Sequence, residues 1–310
     1  MHPMTSARRA LADLSLLAVA FIWGMTFVMV QEAVRAFPVF AFLSARFLLA
    51  FLAMLPLALL LRKRTEGWGG DTPLGKQLAA GAFIGLFLFA GYGFQTMGLR
   101  LTTPAKTGFI TGLYVVIVPI LGMIFARERP GPFVWAGVGL ALTGLALLSL
   151  SGLSLEAGVH PGDLLVLVGA IGFAGHIFTT GQFAHRMNPI LLTLSQLLTV
   201  ALLAALVSHL FEPPAALIPH GQPLFAAAFT GLFATVVAYG VQTAAQRFTT
   251  ATHTALIFAT EPVFAAISSF ILIGERLTPI QLLGGGLILA GMLATELGPQ
   301  MRAVLQRQPS

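Results

Sequence analysis

Arg46 and Glu261 are charged residues set deep inside long apolar runs, where a charge is costly. At the centre of a membrane-spanning helix such a charge costs roughly 2.5–3.5 kcal/mol on insertion scales, so it faces a cavity or a partner. At 1.5 Å per residue, Arg46 lies about 12 Å and Glu261 about 13 Å into its run. Trp23, Tyr114 and Gln196 reach similar depth by the same count. A cation, an anion and aromatic rings at one depth could meet the carboxylate, amine and side chain of one small solute. Polar groups would fix its orientation and apolar walls would supply contact area. Each residue also has a plainer reading. Arg46 could be tied to backbone carbonyls or a helix C-terminus, Glu261 could pair with Arg46 or another base as a structural bridge, and Trp23 could pack against lipid. Pro262 follows Glu261 and removes a backbone donor, which suits a kink lining a cavity.

Further polar residues form stripes. At 100° per residue Lys106, Thr107, Thr111 and Tyr114 fall within about 140°, and His253, Thr254, Glu261 and Ser268 within about 100°. Tyr92, Gln95, Tyr239 and Gln242 read either as cavity residues or as interhelical hydrogen-bonding glue. His176 reads as a packed histidine or as a proton-handling one. The substrate-binding candidates are therefore Trp23, Arg46, Tyr92, Gln95, Lys106, Thr111, Tyr114, His176, Gln196, Tyr239, Gln242, His253 and Glu261. No catalytic set appears: there is no zinc-protease motif, no usable Ser/His/Asp arrangement and no phosphate loop. The chain has no cysteine, so thiolate chemistry, disulfides and cysteine-ligated zinc are excluded. No cofactor or metal is implied.

These residues need helices to hold them. Only 9% of the 310 residues are charged, while 57% are hydrophobic. Soluble domains carry about 25% charged residues, so the outer solvent here is lipid. A span needs about 20 apolar residues. Ten segments qualify: 13–31, 38–61, 77–98, 104–125, 132–151, 163–181, 188–210, 223–245, 252–273 and 278–296. Breaks carry Pro, Gly or charge, as at Arg62-Lys63-Arg64 and Glu212-Pro213-Pro214. The amino-terminal run is read as a retained span rather than a signal peptide, being long and followed by similar runs. With the amino terminus inside, twelve of the 17 Lys and Arg residues lie in inner segments and three in outer loops, which places both termini in the cytoplasm. The formal charge of +6 is thus a topology signal. Nucleic acid is excluded as a partner, since no basic helix with interleaved aromatics is present.

The chain repeats itself. Tyr92-Gly93-Phe94-Gln95-Thr96 returns as Tyr239-Gly240-Val241-Gln242-Thr243, an offset of 147. At that offset Lys106 matches His253, Tyr114 matches Glu261, Glu128-Arg129 matches Glu275-Arg276, and Gly139 and Gly144 match Gly286 and Gly291. Upstream, an offset of 151 aligns Gly24 with Gly175, Pro38 with Pro189 and Ser44 with Ser195. Each copy holds five spans, so the second enters the membrane inverted, the plan of many secondary carriers with a site near midplane. The expected units are residues 12–151 and 162–297, with short tails 1–11 and 298–310. Gly139, Gly144, Gly284, Gly285, Gly286 and Gly291 suit close helix packing, within the protomer or in a homodimer. The Glu128-Arg129 and Glu275-Arg276 pairs, at span ends, read as gate-facing or structural.

The motifs Ile22-Trp23-Gly24-Met25-Thr26-Phe27, Ala45-Arg46-Phe47-Leu48-Leu49-Ala50, Gly274-Glu275-Arg276-Leu277-Thr278 and Gly286-Leu287-Ile288-Leu289-Ala290-Gly291 resemble those of the EamA-type drug/metabolite transporter superfamily. The resemblance covers about residues 12–297. It implies an all-α integral membrane protein whose ten transmembrane helices, in two inverted five-helix repeats, form a basket around a central cavity. It also implies a bacterial cytoplasmic (inner) membrane location and export of amino acids or other metabolites by alternating access. Export of lipophilic cations is a second expectation, and a membrane receptor or assembly protein a third, from another class. The second copy departs from the pattern, with Ala174 and Leu197 where the first has Trp23 and Arg46. The site is therefore not expected to be symmetric.

Overall fold

A computed structural model describes residues 6–61, 71–150, 160–213, 219–273 and 276–305. The elements among the described residues are helical: α1 Ser6–Ala36, α2 Val39–Leu61, α3 Leu74–Leu101, α4 Pro104–Gly112, α5 Tyr114–Phe125, α6 Pro132–Leu150, α7 Pro161–Ala184, α8 Pro189–Phe211, α9 Gly221–Gly231, a π-helical stretch Leu232–Val237, α10 Ala238–Ala245, α11 Ala251–Phe258, α12 Glu261–Ile273 and α13 Pro279–Leu305. These make ten passes, because α4 with α5, α9 with α10, and α11 with α12 each form one interrupted span. Eight described stretches are long and apolar enough to cross a membrane, while Ala251–Ile267 and Pro279–Thr295 are shorter apolar stretches. Lipid-facing content is plain on the surface, where Leu60, Phe125, Phe211 and Ile271 are largely exposed. So much exposed apolar side chain would aggregate in water.

Helix starts follow local chemistry. Proline stands at the first helical position of α4, α7 and α8, where its missing N–H costs nothing. Thr103, His160 and Asn188 side chains cap those starts. Pro262 sits in the first turn of α12 and cannot donate to the Phe258 carbonyl, which accounts for the break between α11 and α12. Glu212, just beyond α8, turns both carboxylate oxygens on α2: Oε1 accepts from the Phe40 N–H at 2.9 Å and Oε2 from the Ala41 N–H at 2.8 Å. An anion at a helix amino terminus is favourable, and here it fixes the height of α2 and with it Arg46. At the end of α5, the N–H groups of Ala126 and Glu128 both donate to the Gly122 carbonyl, with Arg127 at φ 54°. Glu128 folds back over Gly122. Glu275, its counterpart in the second copy, lies outside the described residues, as do Arg62-Lys63-Arg64 and Pro214.

Packing follows the inverted repeat. The pairs α2 with α8 and α6 with α13 each join a helix to its own repeat counterpart, and α3 packs against both α7 and α8. At the α6–α13 crossing, a Cβ on Gly144 would lie 2.5 Å from the Gly284 carbonyl oxygen, and one on Gly291 would lie 2.6 Å from that of Gly137. Gly137 and Gly284 are repeat counterparts, and so are Gly144 and Gly291, so the two contacts are images of one another about a pseudo-two-fold axis. Gly139 and Gly286 take no part. Nothing lies within 4 Å of a Cβ built on either, because both point away from the crossing.

Candidate substrate cavity

A cavity opens between the two repeats, lined from the middle of the helices of both copies. Arg46 enters it from α2 and is only 2% exposed. Its Nε donates to Thr235 Oγ1 at 2.9 Å, and its Nη2 donates to the Tyr92 hydroxyl at 3.1 Å and the Ala234 carbonyl at 3.2 Å. The guanidinium lies 4.7 Å from the Tyr92 ring centroid, a cation–π contact. Ala234 and Thr235 belong to the π-helical stretch, a geometry that re-aims carbonyls and is common at functional sites. Trp23 Nε1 donates to the same Ala234 carbonyl at 2.9 Å. Gly24 beside it lets α12 approach, since a Cβ there would lie 2.7 Å from the Glu261 carbonyl oxygen. The Trp-Gly pair of the first span therefore joins α1 to the π stretch and to the start of α12.

Glu261 opens α12 on the cavity wall and is 9% exposed. Its carboxylate has no hydrogen-bond or ion-pair partner among the described residues. In particular, Arg46 and Glu261 form no bridge: the guanidinium is engaged by Thr235, Tyr92 and the Ala234 carbonyl instead. Its Nη1 N–H groups have no hydrogen-bond partner among the described residues. Of its five donors, three are engaged.

The rest of the wall is aromatic and amide. Trp23 packs against Phe258 and Tyr239, with ring centroids 4.9 and 5.4 Å apart. The Tyr239 hydroxyl donates to that of Tyr92 at 3.0 Å. Gln95 Nε2 donates to Thr111 Oγ1 at 2.8 Å. Tyr114, buried at the start of α5, lines the same space. Gln242 Nε2 donates to Gln246 Oε1 at 3.1 Å, while its own Oε1 has no partner among the described residues. His176 stacks edge-on to Tyr239 at 5.3 Å, and its Nε2 lies 2.7 Å from Gln196 Oε1.

Ten of the thirteen sequence candidates line this cavity: Trp23, Arg46, Tyr92, Gln95, Thr111, Tyr114, His176, Tyr239, Gln242 and Glu261. Three do not. Gln196 stands one layer out, held between His176 and Thr243. Lys106 is near the start of α4, 3.3 Å from Asp163 Oδ2. His253 is near the start of α11, its Nε2 3.2 Å from Asp13 Oδ1. Thr26, Phe27, Val30, Thr96, Leu99, Phe173, Ile177 and Phe258 complete the wall. Sequence reasoning passed over them, as it did Thr235. The apolar ones carry no mark among 25 Phe and many Leu, although Thr96 follows a repeated Gln.

Ten helical passes in two inverted copies around a mid-depth cavity define a membrane carrier. The chain belongs to the EamA-like transporter family, whose pattern it matches over residues 10–150 and 160–296. It is 34% identical over 294 residues to an uncharacterized transporter of Archaeoglobus fulgidus, covering 94% of this chain and 87% of that one. A probable amino-acid metabolite efflux pump of Escherichia coli is 25% identical, over 94% of this chain and 96% of its own. The uncharacterized inner membrane transporter YedA of Escherichia coli is 26% identical, over 92% and 90%. A solved crystal structure shares the fold with a TM-score of 0.74 at 21% identity, covering 92% of this chain and 98% of its own.

Proposed function

We propose that this transporter is a secondary exporter of small amphipathic metabolites bearing an ammonium group, amino acids and related compounds, and that it works by alternating access. The observation that carries the reading is Glu261, a carboxylate on the cavity wall with no protein partner among the described residues. An anion held at that depth is costly. It is offset by a cation that arrives and leaves, either the substrate ammonium or a proton. Arg46 presents its unengaged Nη1 to the substrate carboxylate, and Trp23, Tyr239 and Phe258 supply apolar and cation–π contact. The likeness to probable amino-acid metabolite efflux pumps supports the substrate class. The excess of Lys and Arg in the segments assigned inside supports cytoplasmic termini in a bacterial inner membrane.

A second reading, export of lipophilic cations, draws on the same aromatic wall and on the engagement of three Arg46 donors by the protein. Flux of a labelled amino-acid panel into liposomes holding the purified protein, with and without a pH gradient, separates the two. The first reading expects saturable flux of one amino-acid group. Flux of lipophilic cations with none for any amino acid would replace it with the second.

A further inference from the structure

The two polar residues that the sequence placed in the cavity and the structure moves to its ends are repeat counterparts, and so are their surroundings. Lys106 and His253 are 147 residues apart, as are the helix starts Pro104 and Ala251. Each follows an identical cap. Thr103 Oγ1 accepts from the Lys106 N–H at 3.2 Å, and Thr250 Oγ1 accepts from the His253 N–H at 3.1 Å. Each side chain reaches an aspartate on the first helix of the opposite repeat: Lys106 on α4 meets Asp163 on α7, and His253 on α11 meets Asp13 on α1. The aspartates are 150 residues apart, one off the 151 that aligns Gly24 with Gly175.

The helices that carry these tips are short. α4 has nine residues and α11 has eight. Each ends at a break just before a repeat-matched cavity residue, Tyr114 after Leu113 and Glu261 after Ala259-Thr260. A half-helix held at its tip by a contact to the opposite repeat and free to bend at its base can swing only when that contact lets go. The copies are inverted, so α4 and α11 start on opposite faces of the membrane.

We infer that Lys106–Asp163 and His253–Asp13 are two latches, one on each face, and that each holds shut its own half-helix and thereby the path from the cavity to that face. The inference rests on the alternating-access reading and adds the groups that govern it. The latches differ in their surroundings. Asp163 also accepts from Thr102 Oγ1 at 2.6 Å and from the His160 N–H at 3.2 Å. Asp13 Oδ1 lies 3.2 Å from His253 Nε2. Thr249, the counterpart of Thr102, has its hydroxyl buried without a hydrogen-bond partner among the described residues.

The absence of cysteine makes the test direct. A single reporter, Thr26→Cys on the cavity wall, is labelled in oriented membranes by a membrane-impermeant thiol reagent from either side. Asp163→Asn should raise the labelling rate about five-fold from the face where α4 begins and leave the other face unchanged. Asp13→Asn should do the reverse. The swap Lys106→Asp with Asp163→Lys should return the rate toward that of the parent. Should Asp163→Asn fail to fold, Thr102→Val loosens the same latch, with a smaller rise on the same face. Labelling that rises on one common face for both aspartate variants, or on neither, overturns the inference. The readout needs no substrate, so a failed substrate assignment leaves it intact.

Discussion

The hydroxyls of Tyr92 and Tyr239 lie 3.0 Å apart, and the two residues occupy the same place in the two copies of the repeat. A residue can touch its own counterpart only where the pseudo-two-fold axis passes between them, so this hydrogen bond marks the axis inside the cavity. Symmetry fails immediately beyond it. Tyr92 also accepts from Arg46, whereas Leu197 stands at the place in the second copy that matches Arg46. The two tyrosines therefore do unequal work.

Tyr239→Phe removes one interhelical hydrogen bond, worth about 0.6 kcal/mol on average in a membrane protein. Tyr92→Phe removes the acceptor for both Tyr239 and the Arg46 guanidinium, and should cost up to about 1.7 kcal/mol. Thermal unfolding in detergent should rank wild type, Tyr239→Phe and Tyr92→Phe in descending order. Equal loss for both would show that Arg46 gains nothing from Tyr92.

Arg46→Lys keeps the charge and loses the fork. One ammonium cannot serve Thr235, Tyr92 and the Ala234 carbonyl together and still present a donor to substrate. Flux should fall by at least about ten-fold, equivalent to about 1.4 kcal/mol. Trp23 continues to hold the Ala234 carbonyl, so folded yield should stay near that of wild type. Full activity would reduce Arg46 to a charge.

Gly144→Ala and Gly139→Ala place the same methyl group five residues apart with opposite results. At Gly144 it meets the Gly284 carbonyl at 2.5 Å, backbone that cannot yield cheaply. A cost of about 1–3 kcal/mol is expected from such overpacking. At Gly139 it meets open space, and unfolding should be unchanged or slightly later, since Ala favours helix over Gly.

Much of this was legible before any coordinates. The repeat offset implied two inverted copies, because an odd number of spans per copy turns the second upside down, but it left open which helices pair. Burial of Arg46 and Glu261 followed from charge inside apolar runs. Depth was legible but direction was not: Gln196 is as deep as Trp23, yet it faces His176 rather than the open space. The stripe that joined Lys106 to Tyr114 assumed one straight helix. The chain breaks at Leu113, and Lys106 sits in the first turn, too near the end to reach the cavity. The π stretch had no sequence mark, since Leu232–Val237 reads as ordinary apolar helix. Its Ala234 carbonyl, which gathers Trp23 and Arg46, was therefore invisible.

The most direct test of the central claim is saturable flux of the best amino-acid substrate in liposomes, wild type against Glu261→Gln, with the unfolding temperature of both measured in parallel. An unpartnered buried carboxylate weakens a fold, so the variant should unfold at the same or a higher temperature while its flux falls at least about ten-fold. Wild-type flux by a folded Glu261→Gln protein would contradict the account, because the cavity would then not use its one unpaired carboxylate.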